Sequence, residues 1–257
     1  MDNYFDEFEK EATSYNIEEI SSLIPSDTSK SSRIDKNLLE NTIRAAFKTN
    51  YYDRRGVTYQ DIEYKPTQVL YVHDLIFCSK KRTYELMTKT ENTGDRNEVK
   101  IVMGSLLHSF IVGKMFAGGA AEKSFMKPYK DEYLLIGRAD YVIPNSVIEF
   151  KLIVNKFTPN TLPDYYENQI LLYQWLSDRD IGYCVCFNIF NGDIKVFEVE
   201  RDNKRIEELL ERGSKIVKGI TSMQLPQPDI NEENVWLCNN CIVNDCDRKD
   251  KQKPKNR

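Results

Sequence analysis

Apolar residues recur along parts of the chain at intervals of three and four, the spacing of an amphipathic helix. One such stripe runs from Val99 to Ile111. A second predicts a helix over Arg201–Ile220. Its apolar and small positions are Ile206, Leu209, Leu210, Gly213, Val217 and Ile220. The pattern therefore predicts one helix early in the body of the protein and another that closes it.

Extended segments between these two helices predict two hairpins. The first joins Glu132–Ile143 to Ser146–Val154 through a Pro-Asn pair, which favours a turn. The second joins Gly182–Phe190 to Asp193–Glu200 through an Asn-Gly pair, a strong hairpin sequence. Each hairpin brings neighbouring strands of a sheet together.

A third helix is predicted between the hairpins. Thr161 is its expected N-cap, with Pro163 in the first turn and Asp164 at the capping-box position. Gln169 and Tyr173 lie four residues apart and so share one face of this helix. The order helix, hairpin, helix, hairpin, helix predicts a mixed α/β or α+β domain.

Composition and charge divide the chain of 257 residues into three parts. Residues 1–65 form an N-terminal extension of unknown role, residues 66–225 carry the predicted elements, and residues 226–257 hold three cysteines and a basic tail. The net charge of −4 argues against a nucleic-acid partner, but residues 1–20 alone contribute −6. The remainder is slightly basic, so such a partner stays open.

No run of apolar residues approaches the roughly 20 that a membrane span needs. The first residues are acidic, whereas a secretory signal begins with basic and then apolar residues. We therefore expect a cytoplasmic protein. Its six cysteines are then better explained by metal binding or burial than by disulfides, since cytosolic thiols are kept reduced.

The segment Ile148-Glu149-Phe150-Lys151 carries the most informative chemistry. Strand alternation sends Glu149 and Lys151 to one face and the two apolar residues to the other. Asp140 ends the preceding strand, where pairing across the turn can bring it beside Glu149. Two close carboxylates repel each other, and a divalent cation relieves that repulsion.

This arrangement suits phosphodiester hydrolysis. Carboxylate oxygens favour Mg²⁺ or Mn²⁺, which polarises a phosphoryl oxygen and lowers the pKa of a bound water, while an adjacent lysine offsets developing charge. The alternative reading of an isolated Glu-x-Lys strand is a solvated sheet face with a surface ion pair.

Four short motifs in order make the chain resemble the PD-(D/E)xK nucleases, and within them the RecB-like branch. They are Gly104 to His108 on a helix, Gly137 to Asp140 at a strand end, Glu149 to Lys151 on a strand, and Gln169 to Tyr173 on a helix. The resemblance implies a restriction-endonuclease-like core, a mixed sheet flanked by helices, over residues 66–225.

The same resemblance implies individual roles. His108, Asp140 and Glu149 become metal ligands together with the backbone carbonyl of Phe150, and Lys151 becomes the catalytic lysine that positions water. Gln169 and Tyr173 support the site and the DNA strand. The alternatives are a structural histidine for His108 and an ordinary half-exposed helix face for Gln169 and Tyr173.

Three cysteines, Cys238, Cys241 and Cys246, lie within nine residues, and Cys78 supplies a possible fourth ligand. One distant cysteine plus three near the end resembles the CRISPR-associated RecB-like exonucleases with a 4Fe-4S cluster, in which the cluster closes the domain. Zn²⁺ also takes four thiolates, so it remains an alternative. Cys184 and Cys186, two apart on a predicted strand, are read as buried structural thiols.

The resemblance to that family implies a 5′ to 3′ exonuclease acting on single-stranded or frayed DNA ends, which processes fragments for the CRISPR integrase. One alternative is a RecB-like iron-sulfur nuclease of a virus, mobile element or repair system. A second is a metal-stapled DNA-binding adaptor without catalytic activity. Candidate DNA contacts are Lys80, Lys81, Arg82, Tyr84, Tyr165, Tyr166 and Trp175.

Overall fold

The computed structural model describes residues 57–89, 120–230, 234–235, 237–238, 241–244 and 246. All of these belong to one of two compact units into which the chain divides. The predicted helix over Val99–Ile111, with Gly104 and His108, lies outside the described residues, as does most of the 1–65 extension.

A mixed six-stranded sheet forms the centre of the described unit. Its strands follow the order β3-β5-β6-β7-β8, and β4 also pairs with β5. Two pairs, β3 with β5 and β6 with β7, are parallel, while the others are antiparallel. The strands are β3 (Val69–Tyr71), β4 (Ala120–Tyr129), β5 (Tyr133–Ile143), β6 (Ser146–Ile153), β7 (Ile181–Asn188) and β8 (Ile194–Glu200). A separate hairpin consists of β1 (Val57–Tyr59) and β2 (Ile62–Tyr64).

The described helices are α1 (Val72–Leu75), α2 (Ser79–Thr88), α3 (Asp164–Ser177) and α4 (Asn203–Ser222), and a 3₁₀ turn spans Pro66–Gln68. Helix α3 connects the parallel strands β6 and β7, as a parallel pair requires a crossover. None of the described helices is long and apolar enough to cross a membrane.

The main hydrophobic core lies between one face of the sheet and the helices α3 and α4. Leu135 and Val147 contribute from the sheet, Leu172 from α3 and Leu209 from α4, all of them buried. The buried Tyr133 on β5 donates its hydroxyl to the Leu210 carbonyl of α4 at 2.8 Å. Burial of these apolar surfaces fixes the two helices against the sheet.

The prediction of a mixed sheet flanked by helices is confirmed. Both hairpins form, with β5 joined to β6 and β7 to β8, and the stripe of α4 packs into the core. The short strand β3, the helix α2 and the strand β4 were not predicted. Strand β4 mixes small, charged and apolar residues without clear alternation, which explains why the sequence did not reveal it.

The predicted cap of α3 is wrong. Pro163, not Thr161, occupies the N-cap position, and no side-chain cap hydrogen bond is present there. Pro163 is itself extended, with φ −62° and ψ 136°, so the helix begins only at Asp164. Asp164 is therefore the first residue of the helix rather than a capping-box residue.

Candidate active site

The sheet forks at one point along β5. Strand β4 pairs with β5 from Tyr133 to Val142 along one edge. The opposite edge has two successive partners, β3 beside Leu134–Ile136 and β6 beside Tyr141–Ile143. Residues 137–140 of β5 lie between the segment that pairs with β3 and the segment that pairs with β6. Asp140 therefore lies directly before the first residue of β5 that pairs with β6.

The alternation of β5 shifts by one residue at Asp140. Leu135 and Ala139 face the main core, and so does Val142, whereas Tyr141 belongs to a cluster on the other face. This shift directs Asp140 toward the neighbouring strand, and its Oδ2 accepts a hydrogen bond from the Phe150 amide at 2.8 Å. A break in strand alternation beside a functional side chain is a frequent feature of active sites.

Strand β6 presents Glu149 and Lys151 on the helix-covered face of the sheet. Glu149 is only 4% exposed, and Lys151 Nζ donates to its Oε1 at 2.7 Å. Ile148 and Phe150 face the opposite side in a separate apolar cluster. The predicted division of this strand into a charged face and an apolar face is confirmed.

Helix α3 brings Gln169 and Tyr173 to the same place. Gln169 Nε2 donates to Glu149 Oε1 at 2.8 Å and to the Tyr173 hydroxyl at 3.1 Å. The Gln169 carbonyl oxygen accepts from Lys151 Nζ at 2.8 Å. The amide thereby fixes the glutamate, the lysine and the tyrosine relative to one another.

Gly137 explains how the helix comes so close to the sheet. A Cβ at this position would lie 2.7 Å from Leu176 Cδ1, 2.7 Å from Val72 Cγ2 and 2.9 Å from Tyr173 Cε1. These distances are below normal van der Waals contact, so only glycine fits without displacing its neighbours. The glycine that opens the Gly137 to Asp140 motif therefore sets the height of Tyr173 above β5.

Charge and burial act on Lys151 in opposite directions. Burial lowers its pKa, but the negative charges of Glu149 and Asp140 and the hydrogen bond to Glu149 outweigh that effect, so the pKa is raised overall. Its ammonium also lies 5.1 Å from the centre of the Tyr166 ring, a cation-π arrangement. Lys151 is consequently held as a cation at the centre of the site.

The phenol of Tyr173 is kept neutral. Burial raises its pKa well above the ordinary value, and the charge of Glu149 adds to this effect. Tyr173 is 6% exposed and belongs to the main core. A neutral hydroxyl that accepts from Gln169 holds the amide in one orientation.

Cys184 and Cys186 lie beside this site on β7. They pair in register with Glu149 and Lys151, and their sulfur atoms are 3.9 Å apart. Both side chains are fully buried within the main core. Their prediction as buried thiols is confirmed.

A second site lies where the ends of the described unit meet. One cavity of about 100 Å³ is lined by all four cysteines of the predicted cluster, Cys78, Cys238, Cys241 and Cys246. None of the six cysteines, all of which lie among the described residues, is in a disulfide. Burial raises the pKa of the Cys78 thiol, against backbone hydrogen bonds that lower it.

The four cysteines line one cavity, but their side chains are not arranged as a coordination sphere. Among the residues that the structure describes, no group of three or more His, Cys, Asp or Glu side chains is arranged to hold a metal. The same holds at the carboxylate site, where the third predicted side-chain ligand, His108, lies outside the described residues. Shared lining therefore establishes proximity of the cysteines but not ligation.

Four of the predicted catalytic residues, Glu149, Lys151, Gln169 and Tyr173, thus meet in one hydrogen-bonded group, and Asp140 lies beside it through its bond to the Phe150 amide. The four predicted cluster cysteines meet in one cavity.

Arg82 is a predicted DNA contact, but the structure places it in ion pairs within the protein. Arg82 is 9% exposed, and its guanidinium pairs with Asp74 at 2.6 Å and with Glu85 at 3.0 Å. Trp175 packs against the core, and the Lys127 ammonium lies 4.9 Å from the centre of the Trp175 ring.

The chain is similar in structure to several solved proteins. The crystal structure of SSO0001 covers 82% of this chain and 94% of its own, with 20% identity and a TM-score of 0.52. An alkaline exonuclease (LHK-Exo) from Laribacter hongkongensis covers 61% and 90%, with 11% identity and a TM-score of 0.44. A phage-related exonuclease from Haemophilus somnus 129PT covers 56% and 80%, with 15% identity and a TM-score of 0.40.

No protein-family model matches the chain. No curated protein sequence matches it either. The similarity to SSO0001 shows a shared fold, and a fold alone does not define an activity. The chemistry of the site therefore carries the argument for function.

Proposed function

We propose that the chain is a divalent-metal-dependent DNA nuclease whose cutting centre comprises Asp140, Glu149 and Lys151. The observation that carries the proposal is the convergence of these residues. Glu149 and Lys151 are joined at 2.7 Å, and the amide of Phe150 between them binds Asp140 at 2.8 Å. A buried carboxylate and a lysine on one strand, with a second carboxylate on the neighbouring strand, are the groups that phosphodiester hydrolysis uses.

The donor set fits a hard divalent cation. Asp140, Glu149 and the Phe150 carbonyl offer only oxygen ligands, which Mg²⁺ and Mn²⁺ prefer, and His108 is the proposed nitrogen ligand. A bound cation would polarise the scissile phosphoryl group and acidify a water. Its charge would also offset the burial of Glu149, which is otherwise costly for a carboxylate.

The chain's own residues then have separate tasks. Lys151, held as a cation, positions the attacking water and offsets the charge that develops on the phosphate. Gln169 orients both Lys151 and Glu149, and Tyr173 orients Gln169. The site is thus supported from α3 while its charged groups come from the sheet.

The proposed substrate is single-stranded DNA or a frayed end, degraded from 5′ to 3′. The resemblance of the cysteine arrangement around this core to the CRISPR-associated exonucleases supports this direction and a role in CRISPR spacer acquisition, with the integrase complex as partner. A RecB-like iron-sulfur nuclease of a virus, mobile element or repair system is the alternative. Calorimetric binding to a purified CRISPR integrase supports the first role, and full nuclease activity without such binding supports the second.

The proposed cofactor at the second site is a 4Fe-4S cluster. Four thiols are the complete protein ligand set of such a cluster, and Cys78, Cys238, Cys241 and Cys246 line one cavity. Zn²⁺ is the alternative with the same ligands. Cys78 precedes α2, whereas the other three cysteines follow α4, so the group would link the two ends of the described unit.

The activity is tested on single-stranded and duplex DNA carrying a label at either end, with Mn²⁺ or Mg²⁺ present. Wild type should degrade single strands, and Asp140→Ala and Lys151→Ala should each lose at least about a hundredfold in rate. Lys204→Ala, an exposed lysine of α4, is the matched control and should retain the rate. An inert wild type, or variants as active as wild type, leaves the non-catalytic adaptor as the better account.

A further inference from the structure

Two parts of the chain that are far apart in sequence are hydrogen-bonded to each other beside the cysteine cavity. The Ser79 amide donates to Asp229 Oδ1 at 2.8 Å, across 150 positions of sequence. Arg212 of α4 donates through Nε to Asp229 Oδ2 at 3.1 Å and through Nη1 to the Leu75 carbonyl at 2.8 Å. Asp229 and Arg212 thus join the end of α1 and the start of α2 to the chain that follows α4.

These contacts lie at the wall of the cysteine cavity. Ser79 directly follows Cys78, and the sequence neighbours of Asp229, Pro228 and Ile230, line the cavity. The other three cysteines of the predicted cluster follow later in the same part of the chain. The bond between Ser79 and Asp229 therefore brings the chain that supplies three thiols to the residue beside the fourth.

The same bond satisfies the first amide of α2. Ser79 is the first residue of this helix, and the first amides of a helix have no acceptor within it. A carboxylate at this end also interacts favourably with the helix dipole. Asp229 thus contributes to α2 from a distant part of the sequence, and the chain after α4 gains a fixed point of attachment.

The ion pair between Arg212 and Asp229 is largely shielded from water. The two side chains are 12% and 17% exposed. Salt screens a partly buried pair less than an exposed one, and hydrogen bonds to charged groups are stronger than those between neutral groups. Protein groups alone make all of these contacts, so they need no metal.

We propose that Arg212 and Asp229 form a clasp that holds the chain after α4 on α2 and assembles the cysteine cavity independently of any bound metal. The value of the clasp for a cluster rests on the proposed cofactor, whereas the closure itself does not. Both are positioning residues, since they act on the thiols only through the backbone that carries them. Protein that has lost its metal should consequently keep the cavity closed.

Thiol labelling of the full chain, freed of iron and zinc by a chelator under reducing conditions, tests the clasp. Cys238 is 8% exposed, so an alkylating reagent reaches it when the chain after α4 opens, and its labelling rate follows the population of the open form. Cys184 and Cys186 in β7 are fully buried and report opening of the sheet instead. Peptide mass spectrometry gives the rate at each cysteine.

In metal-free wild type, Cys238 should be labelled at least about tenfold more slowly than in the urea-unfolded chain. Arg212→Ala and Asp229→Ala should each accelerate labelling of Cys238 about tenfold or more, because each removes hydrogen bonds to a charged group. Labelling of Cys184 and Cys186 should stay at the wild-type rate. Since the two clasp residues act as one unit, the double variant should show less than the product of the single effects.

Two further variants separate the clasp from general damage to the fold. Ser79→Pro removes the amide that donates to Asp229, and the first position of a helix tolerates proline. Cys78 already has the extended backbone that precedes a proline, with ψ 123°. This variant should accelerate labelling of Cys238 about tenfold. Arg205→Ala is the matched control, because Arg205 joins α4 to α3, and it should label as wild type does.

Rapid labelling of Cys238 in metal-free wild type overturns the proposal, since the chain would then close only around a bound group. Wild-type rates in Arg212→Ala and Asp229→Ala overturn it as well, and single effects that multiply in the double variant show two independent contacts instead of a clasp.

Equal acceleration at Cys184 in the alanine variants indicates loss of the whole fold, and Ser79→Pro then decides. Acceleration confined to Cys238 in Ser79→Pro supports the clasp, and a wild-type rate there refutes it. All rates are measured without metal and without DNA. The result is therefore separate from the nuclease assay and from the identity of the cofactor.

Discussion

The ammonium of Lys151 and the side-chain carbonyl of Gln169 meet at 2.8 Å, which links the sheet to the helix that covers it. Gln169 also donates to the Glu149 oxygen that accepts from Lys151. One neutral amide therefore closes a ring of hydrogen bonds around an ion pair. This geometry fixes the lysine and the glutamate relative to each other, a condition for efficient catalysis.

Two glutamines of α3 should give opposite results when replaced by leucine. Gln169→Leu removes the orienting amide and should lower kcat on single-stranded DNA by about tenfold to a hundredfold. Gln174→Leu instead removes an amide that donates to the buried Val199 carbonyl and should lower the free energy of unfolding by about 1–3 kcal/mol.

Steady-state kinetics and urea unfolding of both glutamine variants provide the comparison. The kcat of folded Gln174→Leu should stay near the wild-type value. Equal losses of kcat in the two variants contradict a specific orienting role for Gln169.

Substitution of Gly137 should loosen the packing of α3 over β5. Gly137→Ala places a methyl group within 2.7 Å of two side chains and should cost about 1–3 kcal/mol in the free energy of unfolding. Gly192→Asn is the control, because its surroundings are open and asparagine tolerates its φ of 75°. If urea unfolding shows that Gly192→Asn is less stable than Gly137→Ala, the close packing of α3 against Gly137 is refuted.

The cysteine cavity predicts a cofactor that depends on Cys241. Wild type purified without oxygen should be coloured and contain iron, and Cys241→Ser should lose both the visible absorption and the iron. Cys186→Ala is the matched control, because Cys186 is buried beside β6 and does not line the cavity. If wild type is colourless and contains stoichiometric zinc, the site is a zinc site and not an iron-sulfur cluster. If Cys241→Ser retains iron, Cys241 is not a ligand.

Lys81 and Arg82 are neighbours in sequence with different predicted roles. Arg82→Ala removes the guanidinium that pairs with the fully buried Asp74 and should lower the free energy of unfolding by about 3–5 kcal/mol. Lys81→Ala disturbs only a long surface pair, worth less than about 1 kcal/mol, but should weaken binding of single-stranded DNA.

Urea unfolding and fluorescence anisotropy distinguish these two residues. Below the temperature at which Arg82→Ala unfolds, this variant should retain wild-type affinity for DNA. If Arg82→Ala loses affinity for DNA without losing stability, Arg82 is a DNA contact, as the sequence analysis suggests.

Local signals made much of the fold predictable. The Asn-Gly pair and the alternation on either side of it specify the β7–β8 hairpin, and the stripe of α4 specifies which of its faces is buried. The short strand β3 escaped detection because three residues carry too little periodicity. Its pairing with β5, more than 60 residues away, depends on tertiary packing rather than on local preference.

The candidate site was predictable only in part from the residues themselves. Alternation alone placed Glu149 and Lys151 on one face. Strict alternation cannot place Asp140, because the side of β5 that faces the core changes at that residue. The partners of Gln169 likewise depend on the height of α3 above Gly137. The resemblance of four ordered motifs supplied what spacing could not.

The most direct test of the central claim is a Mn²⁺ titration of single-strand cleavage by wild type and by Glu149→Gln. Glutamine preserves the size of the buried side chain but removes the charge that would bind the metal. The wild-type rate should be abolished by EDTA and should rise to saturation with Mn²⁺, while Glu149→Gln should remain at least about a hundredfold slower at saturating metal. Cleavage that persists in EDTA, or a Glu149→Gln rate equal to that of wild type, would contradict a metal-dependent nuclease centred on Asp140, Glu149 and Lys151.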